Sequence, residues 1–275
     1  ARGRGLRDME GIEVATVRVE GRGWHYYTAG DPSSRPLLMV HGFRSSARFF
    51  QPLMRSLCDR WHVVAPDLPG HGDSEPWDPR EDVVEQWVLL EGFLSAIGLR
   101  RMAVLGSSRG GAVALQLAAH RPERVSRLVL IAAPTRPFKV GTLDIKRMVV
   151  NRGALTDELL REMGRTMMAS RGYEEARRRA VEADALERDL RPIMGNVGAP
   201  TLVIWGAEDG TIPVEMGLEL LEGIPDSRMR LVGGAGHVPL LDKPQEMLAL
   251  VRTFLEGGQE GQDEGPGEGQ DEGPG

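Results

Sequence analysis

The stretch that decides the fold reads Met102-Ala-Val-Leu-Gly106-Ser107-Ser108-Arg109-Gly110-Gly111. The apolar run at its start is typical of a buried strand, and residues 109–120 have helical patterning that stops before Pro122. Ser108 stands between them with a glycine two residues to either side, which is the Gly-x-Ser-x-Gly pattern of a sharp strand-to-helix turn. The pattern therefore predicts that Ser108 is a nucleophile, placed where the helix dipole favours developing negative charge.

Short apolar runs, separated by glycine and proline, alternate with helical patterns along the chain. This alternation predicts an α/β fold, with a mostly parallel sheet that is covered by helices on both faces. The predicted strands are residues 12–19, 24–28, 37–40, 61–65, 102–105, 128–132, 201–205 and 229–232. The predicted helices of this alternating part are residues 49–58, 83–97, 109–120, 216–221 and 244–255.

One segment interrupts the alternation, because no strand pattern is found from residue 138 to residue 196. Thr156 is a good cap for one helix, and residues 173–190 predict a second, highly charged helix. The segment is far longer than an ordinary connection, so we predict a helical cap. The predicted domains are a core of residues 1–136 and 197–256, a cap of 137–196, and a disordered acidic tail of 257–275.

A serine hydroxyl needs an imidazole to take its proton and a carboxylate to orient that imidazole. His237 is the best of the six histidines, because it lies in a glycine-rich loop after the last predicted strand. Asp209 follows the preceding strand and is the first candidate for the acid, with Glu208 as the alternative. The chain order of serine, acid and histidine is that of an α/β-hydrolase triad.

Acyl transfer also needs backbone N–H donors for the negative charge that develops on the carbonyl oxygen. The sequence His41-Gly42-Phe43 follows the buried strand 37–40. We therefore predict an oxyanion hole formed by the backbone N–H groups of Phe43 and of Arg109, the residue after Ser108.

The substrate contacts are less sharply indicated. Met163 and Met167 of the predicted cap are candidates for lining an adaptable apolar pocket, although packing of the cap helices against the core is the more common reason for such methionines. Val238 lies beside the histidine and Ile212 beside the acid. Arg44 follows a strand end and is a candidate for binding a substrate carboxylate.

The formal net charge of the 275 residues is −6, and six acidic residues in the repeat 260–275 account for all of it. The rest of the chain is near neutral, so its charge implies neither a nucleic acid nor a basic partner. The tail has almost no apolar surface to bury and is expected to be disordered. The only cysteine, Cys58, lies in a helical pattern and is interpreted as a packing residue rather than a catalytic thiol.

No apolar run approaches the roughly 18 residues that a membrane span requires, and no apolar segment follows the arginines near the start of the chain. A single cysteine allows no disulfide within the chain, as is usual in a reducing compartment. These features favour a cytoplasmic protein. The sequence leaves the oligomeric state open.

Taken together, the segments 41–43, 67–74, 106–111, 206–209 and 236–237 resemble the α/β-hydrolase superfamily over residues 12–256. The resemblance implies an eight-stranded, mostly parallel sheet with a helical cap after the sixth strand. It implies no cofactor or metal, and it implies structural roles for His71 and Asp73. Members that cleave haloalkanes or epoxides carry aspartate where this chain has Ser108, which argues against both activities.

The sequence thus predicts a serine hydrolase that works through an acyl-enzyme on a small-molecule acyl substrate. A carboxylesterase for small to medium acyl esters is favoured. A carbon–carbon bond hydrolase, lactonase, peptidase or perhydrolase could use the same triad. A ligand-binding protein that kept the fold without turnover is a further alternative, since fold does not determine function.

Overall fold

An eight-stranded sheet forms the centre of the protein, as the sequence predicts. The computed structural model describes residues 11–82, 85–137, 145–182 and 189–257. The acidic tail from residue 258 onward, the first ten residues and parts of the predicted cap lie outside the described residues. The strands are β1 (Ile12–Val19), β2 (Arg22–Ala29), β3 (Arg35–Val40), β4 (Trp61–Pro66), β5 (Met102–Ser107), β6 (Val125–Ile131), β7 (Thr201–Gly206) and β8 (Ser227–Val232).

The strand order across the sheet is β1-β2-β4-β3-β5-β6-β7-β8. The two pairs that involve β2 are antiparallel, and the other pairs are parallel. Every residue of β5 and β7 is buried, which explains why these strands are continuous apolar runs rather than alternating patterns. The parallel strands bring their carboxyl ends to one edge of the sheet, where open α/β folds place their sites.

Helices cover both faces of the sheet. One buried apolar cluster joins the sheet to the helices at residues 86–96, 109–120 and 215–223, and another joins it to the helices at residues 51–57 and 244–256. The described helices are α1 (Gln51–Leu57), α2 (Gln86–Ala96), α3 (Arg109–His120), α4 (Ile145–Met148), α5 (Asp157–Ala169), α6 (Arg171–Glu182), α7 (Glu215–Gly223), α8 (Pro239–Asp242) and α9 (Pro244–Glu256). None of them is long and apolar enough to cross a membrane.

The helices α4, α5 and α6 lie between β6 and β7 in the chain, where the sequence predicts a cap. The Thr156 hydroxyl accepts a hydrogen bond from the Leu159 backbone N–H at 3.2 Å and caps α5 as predicted. α6 begins at Arg171, two residues before the predicted start, and residues 183–188 of the predicted helix are outside the described residues. Tyr173 of α6 is 1% exposed and packs edge-on against Trp77, which fixes this helix to the core.

Two glycines give a matched test of backbone packing. An added Cβ at Gly110 would lie 2.2 Å from the Val40 carbonyl oxygen, whereas one at Gly164 in α5 would meet nothing within 4 Å. We expect Gly110→Ala to lower the free energy of unfolding by about 1–3 kcal/mol through overpacking. Gly164→Ala should raise it by about 0.5–1 kcal/mol, because alanine favours helix. Urea unfolding of both variants measures the two effects, and the opposite order of stability would contradict this packing.

Candidate active site

The backbone at Ser108 is the most unusual feature of the sheet edge. Ser108 has φ 54° and ψ −126°, a region that residues with a side chain rarely occupy. Its backbone N–H donates to the carbonyl oxygen of Ile131 at 2.7 Å, which ties the turn to the end of β6. The turn is possible because Gly106 and Gly110 come close: a Cβ at Gly106 would lie 2.4 Å from the Gly110 carbonyl oxygen. The turn presents the Ser108 hydroxyl to the cavity described below.

The structure brings Ser108, His237 and Asp209 together. His237 Nε2 lies 3.0 Å from Ser108 Oγ, and His237 Nδ1 lies 2.9 Å from Asp209 Oδ2. The side chains of His237 and Asp209 are 3% and 1% exposed, so both contacts are shielded from water. The second carboxylate oxygen of Asp209 accepts the backbone N–H groups of Thr211 (2.8 Å) and Ile212 (3.1 Å). These bonds fix the carboxylate in the position that orients the imidazole.

Glu208, the alternative acid, has a different place. Its carboxylate accepts the backbone N–H groups of Gly234 (3.1 Å) and Ala235 (2.9 Å). Glu208 therefore braces the glycine-rich loop that carries His237, while Asp209 contacts the imidazole itself.

Asp242 also holds the histidine loop in place, and the sequence patterns do not indicate this role. Its carboxylate accepts the Gly236 N–H at 2.8 Å and the Asn151 N–H at 2.7 Å. Asp242 thus ties the loop to the segment between α4 and α5. Every residue type except proline has a backbone N–H group, so a carboxylate that binds only such groups requires no recognisable residue pattern in the sequence.

The loop after β3 lies directly against Ser108. A Cβ at Gly42 would lie 3.1 Å from Ser108 Cβ, so a larger residue at position 42 would crowd the serine. Of the two predicted oxyanion-hole residues, Phe43 follows Gly42 in this loop and Arg109 follows Ser108 in the chain. Arg44, the next residue of the loop, has φ 54°, a left-handed conformation.

A cavity of about 470 Å³ opens beside Ser108, between the loop of residues 41–46 and α5. Three of the predicted substrate contacts, Met163, Val238 and Arg44, line this cavity. The Arg44 guanidinium is, however, occupied by Glu174 of α6, with Nη2 2.9 Å from the carboxylate. The cavity lining also includes Leu241, near the histidine in the chain, and it includes Gln51, Leu159, Arg161, Glu162 and Thr166, which were not candidates from the sequence.

Two predicted substrate contacts lie elsewhere. Ile212 is 2% exposed, and its side chain packs in the core cluster that contains Trp205. Only its backbone N–H faces Asp209, to which it donates a hydrogen bond. Met167 is 43% exposed and is absent from the cavity lining. α5 lines the cavity at Leu159, Met163 and Thr166, among others, which leaves Met167 toward solvent.

The loop 67–74 is organised by the Asp67 carboxylate. It accepts the backbone N–H groups of Ala47 (2.7 Å) and Asp73 (2.9 Å) and contacts His25 Nδ1 at 2.9 Å. Burial alone would raise the pKa of Asp67, but these hydrogen bonds and the nearby His41 outweigh it and hold the pKa below its usual value. Asp67 thereby links Ala47, at the end of the loop after β3, to His25 of β2, and His71 and Asp73 belong to the loop 67–74.

Two buried histidines stand behind the site. His41 Nε2 accepts the Leu68 N–H at 3.0 Å, which leaves Nδ1 as the donor to the Gly42 carbonyl oxygen at 2.9 Å. Burial lowers the pKa of His41, and it lowers the pKa of His71 well below its ordinary value of 6.5. Both rings are therefore neutral in the folded protein at neutral pH.

Neutral buried histidines make stability depend on pH. The unfolded chain takes up protons below about pH 6.5 and the folded chain does not, so acidification should lower the free energy of unfolding from about pH 6.5 downward. We expect His71→Asn, which keeps a side-chain donor for the Pro69 carbonyl oxygen, to reduce this slope. Urea unfolding between pH 5 and pH 8 measures it. Parallel stability curves for the two proteins would contradict a neutral, buried His71.

Comparisons of this chain with a family model and with known proteins agree on one family. The model of the alpha/beta hydrolase family matches residues 37–250. A 2-hydroxy-6-oxononadienedioate/2-hydroxy-6-oxononatrienedioate hydrolase from Paraburkholderia xenovorans is 29% identical, over 84% of this chain and 90% of its own. A pimeloyl-[acyl-carrier protein] methyl ester esterase from Neisseria meningitidis is 30% identical, over 82% of this chain and 94% of its own.

Solved structures agree with this relationship. A bacterial membrane phospholipase A superposes with a TM-score of 0.80 at 27% identity, covering 90% of this chain and 86% of its own. A meta-cleavage product hydrolase from Pseudomonas fluorescens has a TM-score of 0.75 at 23% identity, covering 88% of this chain and 97% of its own, and shows the same fold. The chain belongs to the alpha/beta hydrolase family. Its relatives include hydrolases of esters and of oxo acids, and the enzyme class is that of an α/β-fold hydrolase.

Proposed function

We propose that the protein is a serine hydrolase with Ser108 as nucleophile, His237 as general base and Asp209 as the residue that orients His237. The observation that carries this proposal is the unbroken chain of contacts from Ser108 Oγ through both nitrogens of His237 to the Asp209 carboxylate. Each link is within hydrogen-bond distance, and the serine faces a cavity.

The proposed reaction proceeds in two halves. Ser108 Oγ attacks the substrate carbonyl carbon while its proton passes to His237 Nε2, and the backbone N–H groups of Phe43 and Arg109 donate to the oxyanion. His237 then gives the proton to the leaving group as the acyl bond breaks. Water, deprotonated by His237, attacks the acyl-enzyme and releases the acid, with the proton returning to Ser108.

We propose a carboxylesterase for small to medium acyl esters as the substrate class. The cavity of about 470 Å³ is large enough for such an acyl group, and Met163, Val238 and Leu241 give it apolar lining. The relative that is named a methyl ester esterase supports the same assignment. No cofactor takes part in the proposed steps.

A second candidate is a hydrolase that cleaves a carbon–carbon bond in an acidic substrate, as the relative named a dienedioate hydrolase suggests. Arg161 of α5 favours it, because this exposed side chain lines the cavity and has no ion pair among the described residues. Gln51 also lines the cavity and is 7% exposed, and its Nε2 has no hydrogen-bond partner within the described part of the chain.

Ser108→Ala tests the proposed mechanism. We expect kcat/KM for chromogenic esters from acetyl to dodecanoyl to fall at least ~10³-fold, because the variant has no nucleophile to form the acyl-enzyme. The melting temperature should stay close to that of the unmodified protein, which separates loss of chemistry from loss of fold. Near-normal hydrolysis by Ser108→Ala would contradict the assignment, and the chain-length optimum would size the acyl site.

Arg161→Met separates the two substrate classes. We expect it to lower kcat/KM for an ester with a terminal carboxylate about two- to five-fold at low salt, since an exposed charge acts weakly. The efficiency for a neutral ester of the same length should not change. Arg178→Met is the matched control, because Arg178 of α6 pairs with Glu175 and Glu182 and is not part of the cavity lining. Equal efficiencies for the acidic and neutral esters in all three proteins would contradict a role for Arg161.

A further inference from the structure

We propose that Glu174 of α6 is a positioning residue for the oxyanion hole and acts through Arg44. This inference rests on the proposed function, because it assigns a task to the loop that carries the Phe43 N–H. Glu174 itself does not line the cavity or contact the triad among the described residues.

The loop that Glu174 holds is conformationally demanding. Arg44 directly follows Phe43 and has φ 54°, which costs free energy for any residue other than glycine. Such a conformation persists where the surrounding structure fixes it. Rotation of Arg44 toward the common right-handed or extended regions would turn the Phe43–Arg44 peptide. The loop could accommodate this turn only by a shift of Phe43, whose N–H belongs to the preceding Gly42–Phe43 peptide.

The side chain of Arg44 is held by two nitrogens. Its Nε lies 3.0 Å and 3.2 Å from the two carboxylate oxygens of Glu174, and its Nη2 lies 2.9 Å from one of them. Paired bonds of this kind fix the direction of a guanidinium as well as its distance. Ser170, which is fully buried, donates its hydroxyl to Glu174 at 2.7 Å and fixes the carboxylate in turn.

The backbone of Arg44 has a separate hold. The Thr166 hydroxyl of α5 donates to the Arg44 carbonyl oxygen at 2.8 Å, and Thr166 is 1% exposed. The segment between β6 and β7 therefore binds both the main chain and the side chain of Arg44, a residue of the proposed oxyanion loop, residues 41–46.

The aromatic ring of Phe43 extends the arrangement to the second oxyanion donor. The guanidinium carbons of Arg44 and Arg109 lie 4.9 Å and 5.8 Å from the centre of this ring. The Arg109 guanidinium also lies 4.9 Å from the Tyr173 ring, next to Glu174 in α6, and donates to Gln86 at 2.9 Å. The guanidinium groups of Arg44, which follows the first proposed donor, and of Arg109, the second, thus contact adjacent residues of α6.

We expect loss of the Arg44–Glu174 ion pair to affect the transition state of the reaction more than the stability of the fold. The Arg44 side chain is 36% exposed, so its ion pair contributes little to folding stability. A misdirected oxyanion donor, in contrast, weakens only the transition state, and removal of one donor typically costs ~10²–10³-fold in kcat. A loosened loop should therefore lower kcat by about 10-fold and leave KM nearly unchanged.

The experiment compares Glu174→Gln with Glu175→Gln. The control makes the same substitution at the next residue of α6 and breaks an ion pair, since Arg178 lies 2.6 Å from Glu175, and neither residue of that pair is part of the cavity lining. For each protein we would measure kcat and KM for one ester, the melting temperature, and the Kd of an alkyl boronic acid, which forms a tetrahedral adduct on serine. Glu174→Asp tests whether a carboxylate restores function.

We expect Glu174→Gln to weaken boronate binding and to lower kcat by about 10-fold each, with KM and melting temperature nearly unchanged. Glu175→Gln should retain both, and Glu174→Asp should recover part of the loss. Unchanged kcat and boronate affinity in Glu174→Gln would overturn the inference, as would equal losses in Glu175→Gln. Failure of the unmodified protein to bind boronate or to hydrolyse esters would overturn the proposed function and this inference with it.

Discussion

The strained turn at Ser108 is the constraint on which the rest of the site depends. It projects the hydroxyl from the end of β5, and it requires Gly106 and Gly110 to approach other backbone atoms more closely than a Cβ allows. The hydrogen bond from the Ser108 N–H to Ile131 holds the turn against β6. Because the strain is fixed by the sheet, the serine is in place before any substrate binds.

The sequence predicts the parts of the fold and site that depend on local pattern. Buried strands appear as apolar runs, and all eight were found within a few residues of their observed bounds. Ser108, Asp209 and His237 could be selected because each follows a strand in a glycine-rich turn, and parallel strands bring such turns to one edge. Their contact distances follow from that topology, while their catalytic roles are a proposal.

What the sequence does not predict depends on side-chain direction and on pairs far apart in the chain. Ile212 was a candidate because it is near Asp209, yet its side chain packs in the core. Arg44 was expected to face a substrate carboxylate, but Glu174, 130 residues away in the chain, supplies a carboxylate of the protein itself. Asp242 shows the same limit. It binds the backbone N–H groups of Asn151 and Gly236, and a backbone N–H group does not depend on a particular side chain.

Two of these contacts join the segment between β6 and β7 to a loop beside Ser108 or His237. Asp242 connects the histidine loop to the segment between β6 and β7, and Glu174 connects the same segment to the loop after β3. A segment that only covered the cavity would need apolar packing alone. This one places the buried Thr166 hydroxyl on the Arg44 carbonyl oxygen and the buried Ser170 hydroxyl on Glu174, and such polar bonds fix direction more narrowly than apolar contacts do. The helices between β6 and β7 are therefore best regarded as part of the frame that holds the site, as well as one wall of the cavity.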